Sequence, residues 1–342
     1  MDPVTHVAIG RAIVAAARDE PWDRAVGAAA MLGALSPDVD GAIAFAGWDR
    51  YVRAHQFGTH SIAGAFAAAA AAAALVAAIA RGLRRRRGRG AAPPPRFTTL
   101  LAAAAAGAMS HIALDLVSGA RIAIAWPVVS GRVSLPLVAM ADPWFVAISV
   151  GGLLLLRAAR VRGSLASRCV VAAAAVFLAI KAALLAAALQ RADVHPSAVS
   201  AVEARWGSLT RWYVFERTSD VVRASAISSG GGSPVTYLAQ PLAPESPLVR
   251  ASRSLDDVGN FLAVHEFAFA AETPHEADRI AVMWSDLRYC GPVDGGAAAD
   301  DGSTPRVTAR CGVWVGGTYE RSGRAISEEV RIGSVVQRRP PP

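Results

Sequence analysis

The sequence predicts a mainly α-helical, multi-pass membrane protein that carries a second, mostly β domain at its C-terminal end. Composition and apolar runs together support this fold class. The 342 residues are 53% hydrophobic and only 18% charged, the mean hydropathy is +0.34, and long alanine-rich runs precede residue 192. Because a soluble domain carries about 25% charged residues, this composition argues against an ordinary cytosolic enzyme.

The four longest apolar runs each approach the roughly 20 residues that are needed to cross a bilayer. They are Ser61–Ala80, Phe97–Val117, Trp144–Leu156 with its flanks, and Cys169–Leu189, which contains Lys181. Two further predicted helices, Val4–Ala17 and Trp22–Leu35, have about 15 residues each and reach only some 22 Å. These two are expected to be short, tilted or re-entrant. A buried helix of a soluble protein is the alternative for each run, and the repetition of the pattern argues against it.

Two arginine-rich loops predict the orientation. Residues 81–96 contain seven arginines and residues 157–168 contain four, and neither loop contains an acidic residue. The positive-inside rule places both loops in the cytoplasm of a bacterial cell with the chain in its inner membrane. Segments 37–60 and 119–142 then face outward. A basic run that binds RNA or anionic lipid is the alternative, but the net charge of +8 by itself gives no reason to expect a nucleic-acid partner.

Beyond residue 192 the sequence pattern changes from alanine-rich helices to strands. The domain boundary is therefore placed between residues 1–191 and residues 192–342, with the second domain on the extracytoplasmic side. Period-two alternation predicts strands at Arg211–Glu216, Leu262–Phe269, Ile280–Trp284 and Cys311–Val315. Glycine clusters predict loops at Gly230–Gly232 and Gly295–Gly302.

Three cysteines fit no zinc-finger spacing. Cys290 and Cys311 lie at the edges of predicted strands in the outward domain, where an oxidising compartment permits a disulfide. Two small buried apolar side chains are the alternative reading of this pair. Cys169 begins a predicted span and is expected to be unpaired.

A set of histidines and aspartates is the chemically informative feature of the first domain. His111 and Asp115 are four residues apart on one predicted helix, so both side chains share a face and can reach one ion. Asp38 and Asp40 are two apart after a proline, the spacing at which an extended segment points both carboxylates the same way. His60 is expected to open the alanine-rich helix.

The predicted topology places this whole set at one membrane level. Its members are His6, Asp38, Asp40, His60, His111 and Asp115, and Thr59 is the expected N-cap residue beside His60. Ionisable groups near a bilayer are costly and are usually functional. Carboxylate oxygen with imidazole nitrogen suits zinc, or manganese or iron, in a site of one to three ions. A hydrogen-bonded cap or an interfacial side chain is the alternative for each residue alone.

The order of these motifs resembles the YdjM family of membrane-bound metal-dependent hydrolases over about residues 1–190. The motifs are Thr5-His6, Pro37-Asp38-Val39-Asp40, His55, Thr59-His60-Ser61, His111 with Asp115, and Asp142-Pro143. Residues 211–216 and 285–289 are similar to a C-terminal extension of some members. The order is also similar to that of the zinc-dependent phospholipase C superfamily, an all-helical fold with a zinc cluster.

This resemblance implies metal ligation by His6, Asp38 or Asp40, His60, His111 and Asp115, and His55 joins the candidate ligands. No second H-x-x-x-E pair follows Asp115, and Asp142 is expected to supply part of the remaining ligand set.

The expected function is hydrolysis of a phosphoester by metal-activated water, with Asp40 or Asp38 as the proton acceptor. The expected substrates are a lipid head group or an envelope phosphodiester in contact with the bilayer. Two alternatives remain: a non-catalytic membrane protein with a structural metal site, and a metal or proton transporter. A transporter requires a polar path to the basic ends of the helices, and Ala77–Arg81 and Phe97–Ala102 contain no acid or histidine.

Overall fold

The chain forms two compact units in a computed structural model. The model describes residues 1–17, 23–47, 50–51, 54–55, 57–87, 93–191, 199–242, 246–275, 278–291 and 310–341. The helical unit comprises Met1–Ala42, Ala54–Ala187 and Glu203–Thr210, and the sheet unit comprises Ile43–Arg53, Ala188–Val202 and Arg211–Pro342. The predicted domain boundary adjoins residues 192–198, which lie outside the described residues.

Six helices make up most of the helical unit as the structure describes it. They are α1 (Pro3–Ala16), α2 (Arg24–Leu35), α3 (Ile62–Arg87), α4 (Phe97–Val117), α5 (Pro143–Ala158) and α6 (Gly163–Leu189). A 3₁₀ segment, Ser36–Ala46, continues α2, and a 3₁₀ turn, Gly58–His60, precedes α3. Aspartate caps begin the first two helices, because Asp2 accepts from the Thr5 amide at 2.9 Å and Asp23 accepts from the Ala25 amide at 2.7 Å.

Among the described residues, four helical stretches are long and apolar enough to cross a membrane. They are Arg24–Ala46, Ile62–Arg87, Phe97–Val117 and Gly163–Leu189. The predicted fold class of a helical N-terminal region with several candidate spans is confirmed. One of the four observed spans, however, differs from the four that were predicted. The predicted span at Trp144–Leu156 belongs to the shorter helix α5, and α2 gains length because the 3₁₀ segment continues past Pro37.

The surface of the helical unit is apolar where a bilayer would cover it. Phe66, Leu75 and Ile79 on α3 and Val176 and Ile180 on α6 are all exposed. Exposure of these apolar side chains to water would be unfavourable, whereas in a membrane they would contact apolar lipid tails. The interior between α1, α2, α3 and α4 consists mainly of buried alanine, valine and isoleucine side chains.

Glycine permits an unusually close approach of α2 and α4. A Cβ atom at Gly33 would lie 2.1 Å from the carbonyl oxygen of Ala104, and a Cβ atom at Gly107 would lie 2.1 Å from the carbonyl oxygen of Ala30. Neither position has room for a side chain, because the obstacle in each case is backbone. Small residues at helix interfaces are the usual means by which membrane helices pack closely.

The buried lysine of α6 has backbone partners. Lys181 is 1% exposed, and its Nζ donates to the carbonyl oxygens of Ser208 and Leu209 at 3.1 Å each. A charge within an apolar helix is tolerated when such acceptors surround it. The indole nitrogens of Trp144 and Trp206 add hydrogen bonds between the same segment and residues 141–144.

The sheet unit contains two principal antiparallel sheets. The first has the order β1 (Val199–Ala204), β2 (Arg211–Arg217), β3 (Val221–Ser228) and β4 (Val235–Pro241). Two short helices, α7 (Pro247–Ser252) and α8 (Asp256–Leu262), follow it. The second sheet has the spatial order β11-β10-β9-β6-β5, with β5 (Ala268–Pro274), β6 (Arg279–Asp286), β9 (Val313–Glu320), β10 (Ala325–Ile332) and β11 (Val335–Arg339).

The strand predictions succeed at two segments and fail elsewhere. Arg211–Glu216 and Ile280–Trp284 lie within β2 and β6. The predicted strand Leu262–Phe269 is wrong, because its first residue ends α8 and β5 begins only at Ala268. Cys311–Val315 spans two strands rather than one. The turn at Gly230–Gly232 is present between β3 and β4, and the predicted loop Gly295–Gly302 lies outside the described residues.

A disulfide joins Cys290 to Cys311, as predicted. The two cysteines face each other across the short strands β7 (Cys290–Gly291) and β8 (Arg310–Cys311). Cys169 is a free, exposed cysteine on α6. The bridge therefore closes the segment that separates β6 from β9.

Candidate metal centre

Four separate elements of the helical unit bring the candidate ligands together at one end of the bundle. His6 lies in the first turn of α1, Asp38 and Asp40 lie on the 3₁₀ segment after α2, and His60 ends the 3₁₀ turn before α3. His111 and Asp115 lie near the end of α4. All but Asp38 are buried, although each is an ionisable residue beside apolar helices.

One group of four donor atoms encloses a small volume. The Nε2 atoms of His60 and His111 are 3.3 Å apart, and they lie 3.3 Å and 3.2 Å from Oδ2 of Asp115. Oδ1 of Asp38 lies 3.4 Å from Nε2 of His60 and 3.5 Å from Nε2 of His111. These four residues form a group that could hold a metal ion.

The spacing of these atoms fits a four-coordinate ion. Zinc binds imidazole nitrogen and carboxylate oxygen at about 2.0–2.1 Å, which places tetrahedral ligand atoms roughly 3.3 Å apart. Five of the six separations among the four donors range from 3.2 to 3.5 Å, and all six are within 4.8 Å. The donor set, two nitrogens and two oxygens, suits borderline divalent metals.

A backbone carbonyl fixes the ring of His111. Nδ1 of His111 lies 2.8 Å from the carbonyl oxygen of Ala34, which can only accept a hydrogen bond. Nδ1 therefore carries a proton, and Nε2 is the ring nitrogen that is left to bind an ion. Metal-binding histidines commonly donate a hydrogen bond from the N–H of their second ring nitrogen in this way. The short distance depends on the close approach of α2 and α4 at Gly33 and Gly107.

The second group, Asp40, His55 and His60, lies on the other side of the His60 ring. Oδ1 of Asp40 is 3.0 Å from Nδ1 of His55, and Oδ2 is 3.3 Å from Nδ1 of His60 and accepts from Oγ1 of Thr59 at 3.0 Å. A neutral imidazole has one N–H and one lone pair. If Nε2 of His60 faces the first group, Nδ1 carries the proton, and Asp40 orients the ring.

Carboxylates on both sides of His60 determine its protonation. Burial by itself would lower the pKa of His60, but hydrogen bonds to Asp115, Asp38 and Asp40 raise it to about 10. Without an ion, these carboxylates hold a proton on the ring. An ion that binds there takes the place of that proton.

The structure corrects two local expectations. Asp38 and Asp40 do not point the same way from an extended segment, because the 3₁₀ conformation of Ser36–Ala46 turns them toward different nitrogens of His60. Thr59 is not the cap of the alanine-rich helix. Oγ of Ser61 accepts from the Gly64 amide at 3.0 Å, and Thr59 bonds to Asp40 instead.

His6 approaches the group from α1. Its ring stacks on His111 with centroids 3.8 Å apart, and its Nε2 lies 3.3 Å from Oδ1 of Asp115. Neither ring nitrogen has a partner of hydrogen-bond geometry among the described residues. The amino group of Met1 contacts the same oxygen of Asp115. Burial lowers the pKa of His6 despite the nearby carboxylate, so the ring is neutral at pH 7 and has a lone pair to offer.

Asp142, like His6, is a predicted ligand that lies outside both groups of donor atoms. Its Oδ1 accepts from the amides of Trp144 and Phe145 at 3.0 and 3.1 Å, so the side chain caps α5. It belongs to neither of the two groups found among the described residues. Sequence reasoning also missed the Ala34 carbonyl and the Thr59 hydroxyl as partners of the histidines and of Asp40.

Apolar spans and a buried His/Asp group define a class: integral membrane proteins with a site that could hold a metal ion. Within that class, the chain belongs to the YdjM inner membrane protein family, whose family model matches residues 1–191. No curated protein matches the chain, and no solved structure matches it. The family match covers both groups of candidate ligands.

The geometry predicts that His111 and Asp115 are needed to retain a metal. Elemental analysis of protein purified without added metal should find zinc, manganese or iron in the wild type and little in the His111→Ala/Asp115→Ala variant, because two of four donors are lost. The control variant His275→Ala/Asp278→Ala changes the same residue types in the sheet unit and should retain the wild-type amount. Gel filtration in detergent checks that each variant is folded. Equal metal in the wild type and both double variants would contradict the assignment.

Proposed function

We propose that this protein is a membrane-embedded, metal-dependent hydrolase that acts on a phosphoester, with zinc as the favoured ion. The single observation that carries the proposal is the convergence of His60, His111 and Asp115 at metal-ligand spacing, with the partly exposed Asp38 beside them, because three protein ligands leave a position for water. No cysteine belongs to either group found among the described residues, so a thiolate structural zinc does not account for the site.

The two oxygens of Asp115 support a centre of more than one ion. Oδ2 faces the His60 and His111 nitrogens, and Oδ1 faces Nε2 of His6 at 3.3 Å. If a second ion bound there, His6 and Oδ1 of Asp115 would be the residues to hold it. The otherwise unsatisfied ring of His6 gains a partner in that arrangement.

When bound, divalent ions polarise a phosphoryl oxygen and lower the pKa of water. The residues of this chain would hold the ions and accept the proton that the attacking water loses. Asp38 is the most exposed member of the first group, with 35% of its side chain accessible, whereas the Asp40 side chain is 5% exposed. We therefore assign the proton acceptor to Asp38. Both oxygens of Asp40 are engaged with His55, His60 and Thr59, so Asp40 is a positioning residue.

The substrate class rests on similarity and location. The order of the ligands is similar to that of the zinc-dependent phospholipase C superfamily, and the site lies at one end of apolar helices. A lipid head group or an envelope phosphodiester is the substrate that such a position would meet. A purely structural metal that ties α1, α4 and the two 3₁₀ elements together is the second candidate, because the ligands come from four elements.

Turnover of a chromogenic phosphodiester separates these two functions. The wild-type protein in detergent should hydrolyse bis(p-nitrophenyl) phosphate, lose the activity with a chelator and regain it with zinc. Asp38→Asn should lower kcat by about 10²-fold or more, the usual contribution of a general base. The control Asp220→Asn, at an exposed turn of the sheet unit, should leave kcat unchanged. Metal retention without turnover of this diester or of phospholipid would support the structural role and contradict the hydrolase.

We also propose that the His/Asp groups and residues 192–342 are extracytoplasmic. Arg96, Arg157 and Arg162, from both arginine-rich loops, line one cavity and therefore mark one end of the helical unit. The positive-inside rule assigns that end to the cytoplasm. The disulfide of the sheet unit supports an oxidising environment for residues 290 and 311.

Reporter fusions test this topology. Alkaline phosphatase, which is active only outside the cytoplasm, should be active when fused after Gln190 and inactive when fused after Arg85. A cytoplasmic reporter such as green fluorescent protein should give the opposite pattern at both positions. Active phosphatase after Arg85 with inactive phosphatase after Gln190 would contradict the orientation of both the site and the sheet unit.

A further inference from the structure

A cavity of about 830 Å³ lies at the arginine-rich end of the helical unit. The last turns of α1 and α5 and the first turns of α2, α4 and α6 surround it. Four arginines line it from four different elements: Arg11 from α1, Arg96 immediately before α4, Arg157 from α5 and Arg162 immediately before α6. Its volume is within the usual range for small-ligand sites.

The cavity is strongly basic. Asp23 is the one acidic side chain in its lining as described, and Oδ1 of Asp23 accepts from the Ala25 amide at 2.7 Å to cap α2. The formal charge of the lining is therefore +3. Arg96, Arg157 and Arg162 are exposed and form no side-chain ion pair within the part of the chain that the structure describes.

Helix geometry adds donors to the same cavity. Arg96 is the N-cap residue of α4 and makes no side-chain cap hydrogen bond, so the first amides of this 21-residue helix lack a side-chain acceptor. Thr99, Ser164 and Ser167 contribute hydroxyl groups to the lining. A helix N-terminus with arginines beside it favours an anion, and guanidinium groups match phosphate oxygens in pairs.

Apolar surface continues from this basic cavity. Ala12, Ala15 and Val26 line its inner part, and a second cavity of about 360 Å³ shares Arg11 and runs along the apolar face of α2. Met31 and Leu32 line that second cavity. A basic pocket that adjoins an apolar groove matches a molecule with a phosphate head and an acyl chain.

We propose that the arginine-lined cavity is a binding site for a phosphate group, carried by an anionic lipid or by a soluble phosphate compound. The site is separate from the metal centre, because Thr99 and His111 are about 18 Å apart along α4 at 1.5 Å per residue. The proposal therefore does not rest on the hydrolase function. The adjoining groove favours the lipid, and binding measurements with both ligands distinguish the two sources.

The test uses the full chain in detergent and a pair of charge-matched variants. Arg96→Gln/Arg162→Gln removes two guanidinium groups from the cavity. Arg85→Gln/Arg86→Gln removes two exposed guanidinium groups from α3, at the same end of the bundle but outside the described lining. Native mass spectrometry with dioleoylphosphatidylglycerol measures lipid binding, dioleoylphosphatidylcholine is the zwitterionic comparison, and calorimetry with inorganic phosphate measures the soluble ligand.

The wild type should bind phosphatidylglycerol in preference to phosphatidylcholine. The cavity variant should lose about tenfold or more in affinity, because charge-assisted hydrogen bonds are lost. The α3 variant should stay within about twofold of the wild type. Inorganic phosphate binding that weakens only in the cavity variant would identify a soluble phosphate as the ligand and equally support the site.

Equal weakening in both double variants would show a general effect of charge and would overturn the proposal, as would unchanged binding of both ligands in the cavity variant. If the cavity variant aggregates, the Arg157→Gln variant replaces it, because Arg157 is at an exposed position of the lining. Its affinity for phosphatidylglycerol should likewise be lower than that of the wild type. The His111→Ala/Asp115→Ala variant should bind phosphatidylglycerol like the wild type. Failure of the metal centre is thereby distinguished from failure of this site.

Discussion

The backbone contact between α2 and α4 is the constraint on which the metal centre depends. Gly33 and Gly107 allow these helices to approach until carbonyl oxygens occupy the space where a Cβ would lie. That approach brings the Ala34 carbonyl to 2.8 Å from Nδ1 of His111. The hydrogen bond directs Nε2 toward Asp38, His60 and Asp115. A side chain at either glycine would move α4 away from α2 and turn the candidate ligand away from its partners.

The buried carboxylates of the site require a compensating positive charge. Asp40 and Asp115 are buried at the end of apolar helices, and Asp38 is only partly exposed. Buried carboxylates without a compensating charge are strongly unfavourable. Protonation of His60 offsets part of that charge, and a divalent cation would offset more of it. The same physical requirement that makes these residues costly in a membrane therefore favours a bound metal.

The sequence predicted the parts of the site that depend on regular helical geometry. His111 and Asp115 share a helix face because they are four residues apart, and their side chains meet at 3.2 Å. The local conformation around Asp38 and Asp40 was not predictable in this way, because a 3₁₀ segment and an extended segment both accommodate Pro37. Asp142 was also ambiguous, since an aspartate before a proline can cap a helix as readily as it can bind an ion. The backbone carbonyl of Ala34 leaves no signal in a sequence, and the small-residue contact at Gly33 and Gly107 is hard to distinguish among so many alanines.

X-ray absorption spectroscopy at the edge of the retained metal tests the His/Asp centre most directly, because it reports the donor atoms around the ion in the intact protein. The geometry predicts a first shell of nitrogen and oxygen only, at about 2.0–2.1 Å for zinc. It also predicts outer-shell scattering from at least two imidazole rings, those of His60 and His111. Sulfur scattering at about 2.3 Å, or a first shell without imidazole, would contradict the proposed centre.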